Sequence, residues 1–190
     1  MLRKVIRKFA GIIASPDEVI LLVDQNNKPI GSTTRRDVRK NHLLHRSSFI
    51  FIQNPISEKF YVQKRVMHKE TFPGYYDPAP GGMILASDPS DEFGAKRELE
   101  EEMGISGVNL EFLFNMLYKS EDPLWCAVFF AKWDGELRLQ KEEVEFVEMM
   151  SLEEIIRRAR LESFTPDSME ILNKLIDMGK FKLKNNQQYN

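Results

Sequence analysis

Cysteine is nearly absent: Cys126 stands alone among 190 residues. That excludes an internal disulfide and any metal site built from several thiolates, and it fits a reducing compartment. No apolar run approaches the ~20 residues that a membrane-spanning helix needs. Charge of one sign is not in excess either, since 27 Lys and Arg face 29 Asp and Glu for a formal net charge of −2. A chain so balanced is not a general polycation, and no DNA partner is expected. Internal repeats, low-complexity linkers and breaks in composition are also missing, which points to one domain. With 42% hydrophobic and 29% charged residues, the chain has the make-up of an ordinary globular protein, long enough to bury a core.

Residues 1–15 differ in character. MLRKVIRKFAGIIAS carries Arg3, Lys4, Arg7 and Lys8, with no acid before Asp17, and Leu2, Val5, Ile6 and Phe9 fall at helical spacing. Two readings fit such a cationic amphipathic start: an organelle-targeting segment, or a short helix packed on the domain. The second is preferred, with a cytoplasmic location. Residues 16–180 then make the domain and 181–190 a polar tail.

Several segments have strand character. Glu18 to Val23 and Pro29 to Thr33 flank the turn signal Asn26-Asn27-Lys28, as in a hairpin. Ser48 to Ile52 and Phe60 to Arg65 form a second pair around Asn54-Pro55, and Val108 to Phe114, Leu124 to Trp133 and Val144 to Met150 add aromatic and β-branched runs. Helices show at their ends. Ser151 with Glu154 makes a capping box for a helix reaching about Arg160. Thr165-Pro166 opens another, which Gly179 stops. Strands and helices are interspersed, so the expected class is a mixed sheet covered by helices.

The chemistry concentrates in residues 81–105, GGMILASDPSDEFGAKRELEEEMGI. Asp88 can cap a helix there, Pro89 suits its first position and Gly104 its left-handed stop. At ~100° per residue, Glu98, Glu101 and Glu102 share an arc of about 100°, while Ala95, Leu99 and Met103 form an apolar strip. An acidic run is ordinarily a solvated face. Here, however, the acids crowd the C-terminal half of the helix, where the dipole disfavours them, and Glu98 and Glu102 repel at i,i+4. A divalent cation removes both penalties. Oxygen ligands without nearby His or Cys select Mg²⁺ or Mn²⁺ over zinc.

The run Arg97-Glu98-Leu99-Glu100-Glu101-Glu102-Met103-Gly104-Ile105, preceded by Pro80-Gly81-Gly82, resembles the second half of the Nudix box at every specified position. The wider resemblance, over about residues 18–175, is to the bacterial subgroup whose N-terminal half is like isopentenyl-diphosphate isomerase. One position departs from the pattern. The family places a glutamate six residues after the second glycine and eight before the arginine, and here those counts land on Asp88 and Pro89. The loop is one residue longer, and Asp88 either takes the missing role or only caps the helix.

The resemblance implies an α/β/α sandwich with a mixed sheet and the box as a loop–helix–loop. It implies a small-molecule diphosphate substrate hydrolysed at the phosphoanhydride bond, and it allows a homodimer. Glu98, Glu101 and Glu102 would hold Mg²⁺ or Mn²⁺, and Arg97 would orient them by ion pairing. Gly81 and Gly82 permit a tight turn and close approach to phosphate oxygens. A carboxylate would take the proton of the attacking water; the candidates are Glu98 and, ahead of the last strand, Glu142 and Glu143. Arg65 is either a substrate-phosphate contact or half of a salt bridge, and Phe72, Tyr75 and Tyr76 could line the pocket. Two rivals remain. The isomerase itself needs a cysteine and a histidine near Pro80 and Gly82, where neither is present, and His42, His45 and His68 need be no more than packed or exposed histidines. A non-catalytic nucleotide-binding module would not need three crowded acids.

Overall fold

The computed structural model describes residues 15–184; the cationic start, save Ser15, and residues 185–190 of the expected tail lie outside the described residues. Strand β1 (Val19–Val23) and strand β2 (Pro29–Thr34) form the first antiparallel hairpin. Its turn closes where the Asp24 carboxylate accepts from the Asn26 and Lys28 N–H groups, both at 2.8 Å. Asn27 takes the left-handed conformation (φ 61) that Asn tolerates better than most residues. A short helix α1 (Arg35–Lys40), capped by the Thr34 hydroxyl, follows at once; the sequence pattern did not announce it.

The remaining elements are β3 (His45–Gln53), β4 (Phe60–Arg65), β5 (Tyr76–Asp77), helix α2 (Asp91–Met103), β6 (Glu111–Tyr118), β7 (Leu124–Lys132), β8 (Val144–Met150), α3 (Leu152–Arg158) and α4 (Pro166–Asp177). The strands make a mixed, curled sheet, the α+β architecture expected. β3 runs parallel to β7 along its whole length, β6 pairs antiparallel with β7, and β4 pairs antiparallel with β8 and β5. β3 and β4 are antiparallel neighbours but meet only at Gln53–Phe60. The expected second hairpin is therefore pinned at its turn, because β4 forms its long ladder with β8, from Phe60–Met150 to Arg65–Val144. The strand expected from Val108 begins instead at Glu111; Leu110 is buried ahead of it.

Alternation decides which helix covers which face. Phe49 and Phe51 of β3, with Cys126 and Val128 of β7, pack against Leu152, Ile155, Ile171, Leu172 and Leu175 of α3 and α4. Ile50 and Ile52, with Ala127 and Phe129, pack against Ala95, Leu99 and Met103 of α2. The strand segment Phe49-Ile50-Phe51-Ile52 is apolar throughout because both of its faces are covered. Phe181 joins the first cluster, with its ring 4.9 Å from that of Phe60, so the packed core runs one residue past the expected boundary at 180. Among the described residues no helix is long and apolar enough to cross a membrane.

The start of α2 differs from the expectation. Ser90, not Asp88, is the cap: its hydroxyl accepts from the Phe93 N–H at 3.1 Å. Asp88 turns inward instead. Its carboxylate accepts from the Leu85 N–H at 2.9 Å and meets the Arg97 guanidinium at 3.1 Å. The other end is as foreseen, with Gly104 at φ 69 stopping the helix.

Candidate functional site

A cavity of about 600 Å³ lies beside α2, and its wall includes Glu98, Glu101, Glu102, Gly81, Gly82, Arg97, Arg65, Glu142 and Glu143. Three elements bring the acids there. α2 presents Glu98 one turn ahead of the adjacent Glu101 and Glu102, the Gly81-Gly82 segment runs between α2 and β3, and the turn before β8 supplies Glu142 and Glu143. The glycines are required by proximity. A Cβ on Gly81 would stand 2.1 Å from the Ser48 carbonyl oxygen, and one on Gly82 would stand 2.5 Å from the Glu98 carboxyl carbon. The backbone here is thus wedged between strand and carboxylate, a tighter constraint than a turn alone.

Two cations organise the acids. Arg97 donates to Glu98 (2.8 Å), to Glu101 (3.1 Å), to Asp88 (3.1 Å) and to the Met83 carbonyl (3.2 Å). Lys69, from the loop after β4, contacts both Glu102 (3.4 Å) and Glu143. Glu102 also accepts from the Gln63 amide at 3.2 Å. Burial raises the pKa of Glu98, against the pull of Arg97 and with the charge of Glu101. Burial likewise raises that of Glu101. Glu102 is pushed up to about 8 by burial, with Glu98 and Glu143 adding to it and Lys69 opposing. Crowded, buried carboxylates that resist ionisation are a donor set that a hard divalent cation fits: oxygen-only, with a mutual repulsion that the cation relieves. Among the described residues no three acidic, His or Cys groups already stand close enough to hold a metal ion; Arg97 and Lys69 occupy the acids instead.

The other expected residues distribute as follows. Arg65 lines the cavity, but its guanidinium donates to the Thr71 carbonyl (2.9 Å) and lies 3.8 Å from Asp77, so it braces the loop after β4. Asp88 is absent from the cavity wall; it serves as a buried counter-ion to Arg97. Phe72 reaches the wall, whereas Tyr76 stacks on Phe164 at 5.2 Å in the core. Cys126 is fully buried on β7, and burial raises its pKa. Lys69 carried no local sequence signal, since a lone lysine in a polar loop has no periodicity to mark it. Asp77 is a second unforeseen member: it accepts from the Thr165 and Ser168 hydroxyls (3.1 and 2.7 Å), which pulls the Thr165 side chain away from capping α4.

Comparisons with known proteins identify the family. The NUDIX domain model matches residues 43–172. An uncharacterized Nudix hydrolase of Pseudomonas aeruginosa is 39% identical over 168 residues, covering 86% of this chain and 96% of that one. The uncharacterized Nudix hydrolase YfcD of Escherichia coli is 35% identical over 158 residues, covering 82% and 84%. Among solved structures, the DR0079 protein of Deinococcus radiodurans superimposes with a TM-score of 0.71 at 19% identity, over 83% of this chain and 98% of that one. It shares the fold. With the box helix, the glycine wedge and the matched relatives in agreement, the chain belongs to the Nudix hydrolase family.

Proposed function

We propose that the protein hydrolyses the phosphoanhydride bond of a nucleoside-diphosphate-linked or other small organic diphosphate, with Mg²⁺ or Mn²⁺ held by Glu98, Glu101 and Glu102. The observation that carries this reading is that Glu98 and Glu102, buried and repelling, face the same cavity as Glu143. When bound, the cation supplies charge neutralisation at the diphosphate and acidifies water. The chain's own groups do the rest. Arg97 fixes the rotamers of Glu98 and Glu101 from a buried position, with Asp88 and the Met83 carbonyl fixing Arg97 in turn. The Gly81-Gly82 backbone lets the substrate approach closely, since no Cβ intervenes. Glu143 is the general base: it is buried on the cavity wall, and Lys69, which also contacts Glu102, orients its carboxylate toward the box helix. Arg65 positions the loop that carries Lys69.

A panel of diphosphates (nucleoside triphosphates, dinucleotides, nucleotide sugars, coenzyme A) incubated with Mg²⁺ tests the reading. Wild type releases product from at least one, and the Glu98→Gln, Glu102→Gln double variant is slower by on the order of 10³-fold or more, the scale of losing metal-supplied charge stabilisation. Equal turnover by both proteins would remove the box helix from the chemistry. Binding of a panel member without turnover, unchanged in the double variant, would favour a nucleotide-binding module instead.

A further inference from the structure

Where α1 meets the cavity, three guanidinium groups converge, and the diphosphate reading assigns no role to the two on α1. Arg35 and Arg39 sit one turn apart on α1, an i,i+4 pair of like charges that a six-residue helix would keep apart if solvent were their only company. Arg65 joins them from β4. Burial and the charge of Arg35, with a smaller contribution from Arg65, lower the pKa of Arg39 against the opposing charges of Glu70 and Asp122.

Their partners are unevenly shared. Arg35 is matched by Glu18 at 2.7 Å, and Arg65 by the Thr71 carbonyl and Asp77. Arg39 is not matched. Its nearest carboxylate, Glu70, is 3.8 Å away and about two-thirds exposed (67%), and its buried Nε has no hydrogen-bond partner among the described residues. The other nearby acid, Asp122, makes its close contact with His42 at 2.6 Å. A planar guanidinium with a free buried donor, backed by two more cations, is built to accept an oxyanion on its fork.

We propose that Arg39, supported by Arg35 and Arg65, is a subsite for a second anionic group of the substrate, a phosphate or similar oxyanion, separate from the group addressed by the α2 carboxylates. Its assignment to the substrate rests on the hydrolase reading; the anion site itself does not. The substrate class follows: a diphosphate whose attached moiety carries a further phosphate or carboxylate.

The test is thermal unfolding with EDTA present and inorganic phosphate raised from 1 to 50 mM at constant ionic strength. Wild type gains roughly 2–5 °C in a saturating manner, the shift that millimolar binding to the folded state alone produces. Glu98→Gln, Glu102→Gln keeps that gain, and so does Arg36→Met, whose residue lies off the cavity wall. Arg39→Met loses it. Arg39→Lys, which keeps the charge but not the fork, binds phosphate at least fivefold more weakly and serves if the methionine variant does not fold. A gain in Arg39→Lys or Arg39→Met equal to that of wild type overturns the subsite. Because the assay contains no metal and reads no turnover, an inactive chain can pass it and an active hydrolase can fail it.

Discussion

His45, on β3 at the cavity wall, shows how one residue ties the site to stability. Its ring is buried, and its Nδ1 lies 2.9 Å from the Leu43 carbonyl. A carbonyl only accepts, so Nδ1 carries the proton and the neutral ring is satisfied without a second charge. Burial lowers its pKa to about 4, with the nearby Arg39 and Arg35 also opposing protonation. In the unfolded chain it titrates near ~6.5, so between those values the unfolded state binds the extra proton. Stability is therefore whole above ~6.5 and falls as pH drops toward about 4, by on the order of 3 kcal/mol. Urea unfolding from pH 4 to 7.5 checks this: His45→Asn, which keeps a donor for Leu43 but cannot charge, flattens that part of the profile. An unchanged slope would assign the loss elsewhere. At this scale the sequence was only half legible. Glu98, Glu101, Glu102 and Arg97 declare themselves through helical spacing, whereas His45, Lys69 and Arg39 owe their roles to neighbours far along the chain, which no local pattern encodes. Arg65 had two readings, and the contacts with Thr71 and Asp77 favour the brace.

At the scale of elements, the box works because a helix and a strand are held apart by a glycine segment only one backbone thick. The two glycines fail differently when a methyl is added. At Gly81 the new Cβ meets main chain, the Ser48 carbonyl at 2.1 Å, and main chain of a central strand cannot yield. Gly81→Ala is therefore destabilising by about 2–3 kcal/mol, the cost of overpacking a rigid site. At Gly82 the new Cβ meets the end of a side chain, the Glu98 carboxylate. Gly82→Ala displaces that carboxylate from Arg97 and lowers activity by about 10² or more, with a smaller stability loss. Denaturant midpoints and kcat for both variants separate the two; a reversed order would mean that the wedge is not what positions Glu98. Element existence was legible here, since the β1–β2 turn, the Ser151 box and Gly104 each carry their own turn chemistry. What misled was competition between local signals. Asp88 and Ser90 are both good caps, and Arg97 decides the matter by drawing Asp88 inward, an event nine residues away in sequence and visible only in three dimensions. The partner of β4 was equally hidden: β8 lies far along the chain and its ladder outcompetes the nearby β3.

For the whole molecule, a net charge of −2 conceals a strong internal separation. Folding carries Glu98, Glu102 and Glu143 onto one cavity wall and offers them Arg97 and Lys69, two cations for a cluster that also includes Glu101 and Asp88. The metal-free fold thus carries like-charge repulsion that the unfolded chain does not, and the chain keeps it although replacing such groups would relieve it. A divalent cation that binds only the folded arrangement reverses that penalty, and linkage gives the size: about 2.7 kcal/mol at a hundredfold excess over Kd, or roughly 5–10 °C in Tm for a chain of this length. Glu98→Gln, Glu102→Gln has the opposite profile. Without metal it unfolds at a higher temperature than wild type, because the repulsion is gone, yet Mg²⁺ adds nothing to it. Calorimetry of both proteins with EDTA and with Mg²⁺ therefore yields a crossing of the two Tm values. If the double variant is instead less stable without metal and gains as much from Mg²⁺ as wild type does, the cation binds somewhere other than the face of α2, and the acids there are held for structure by Arg97 and Lys69.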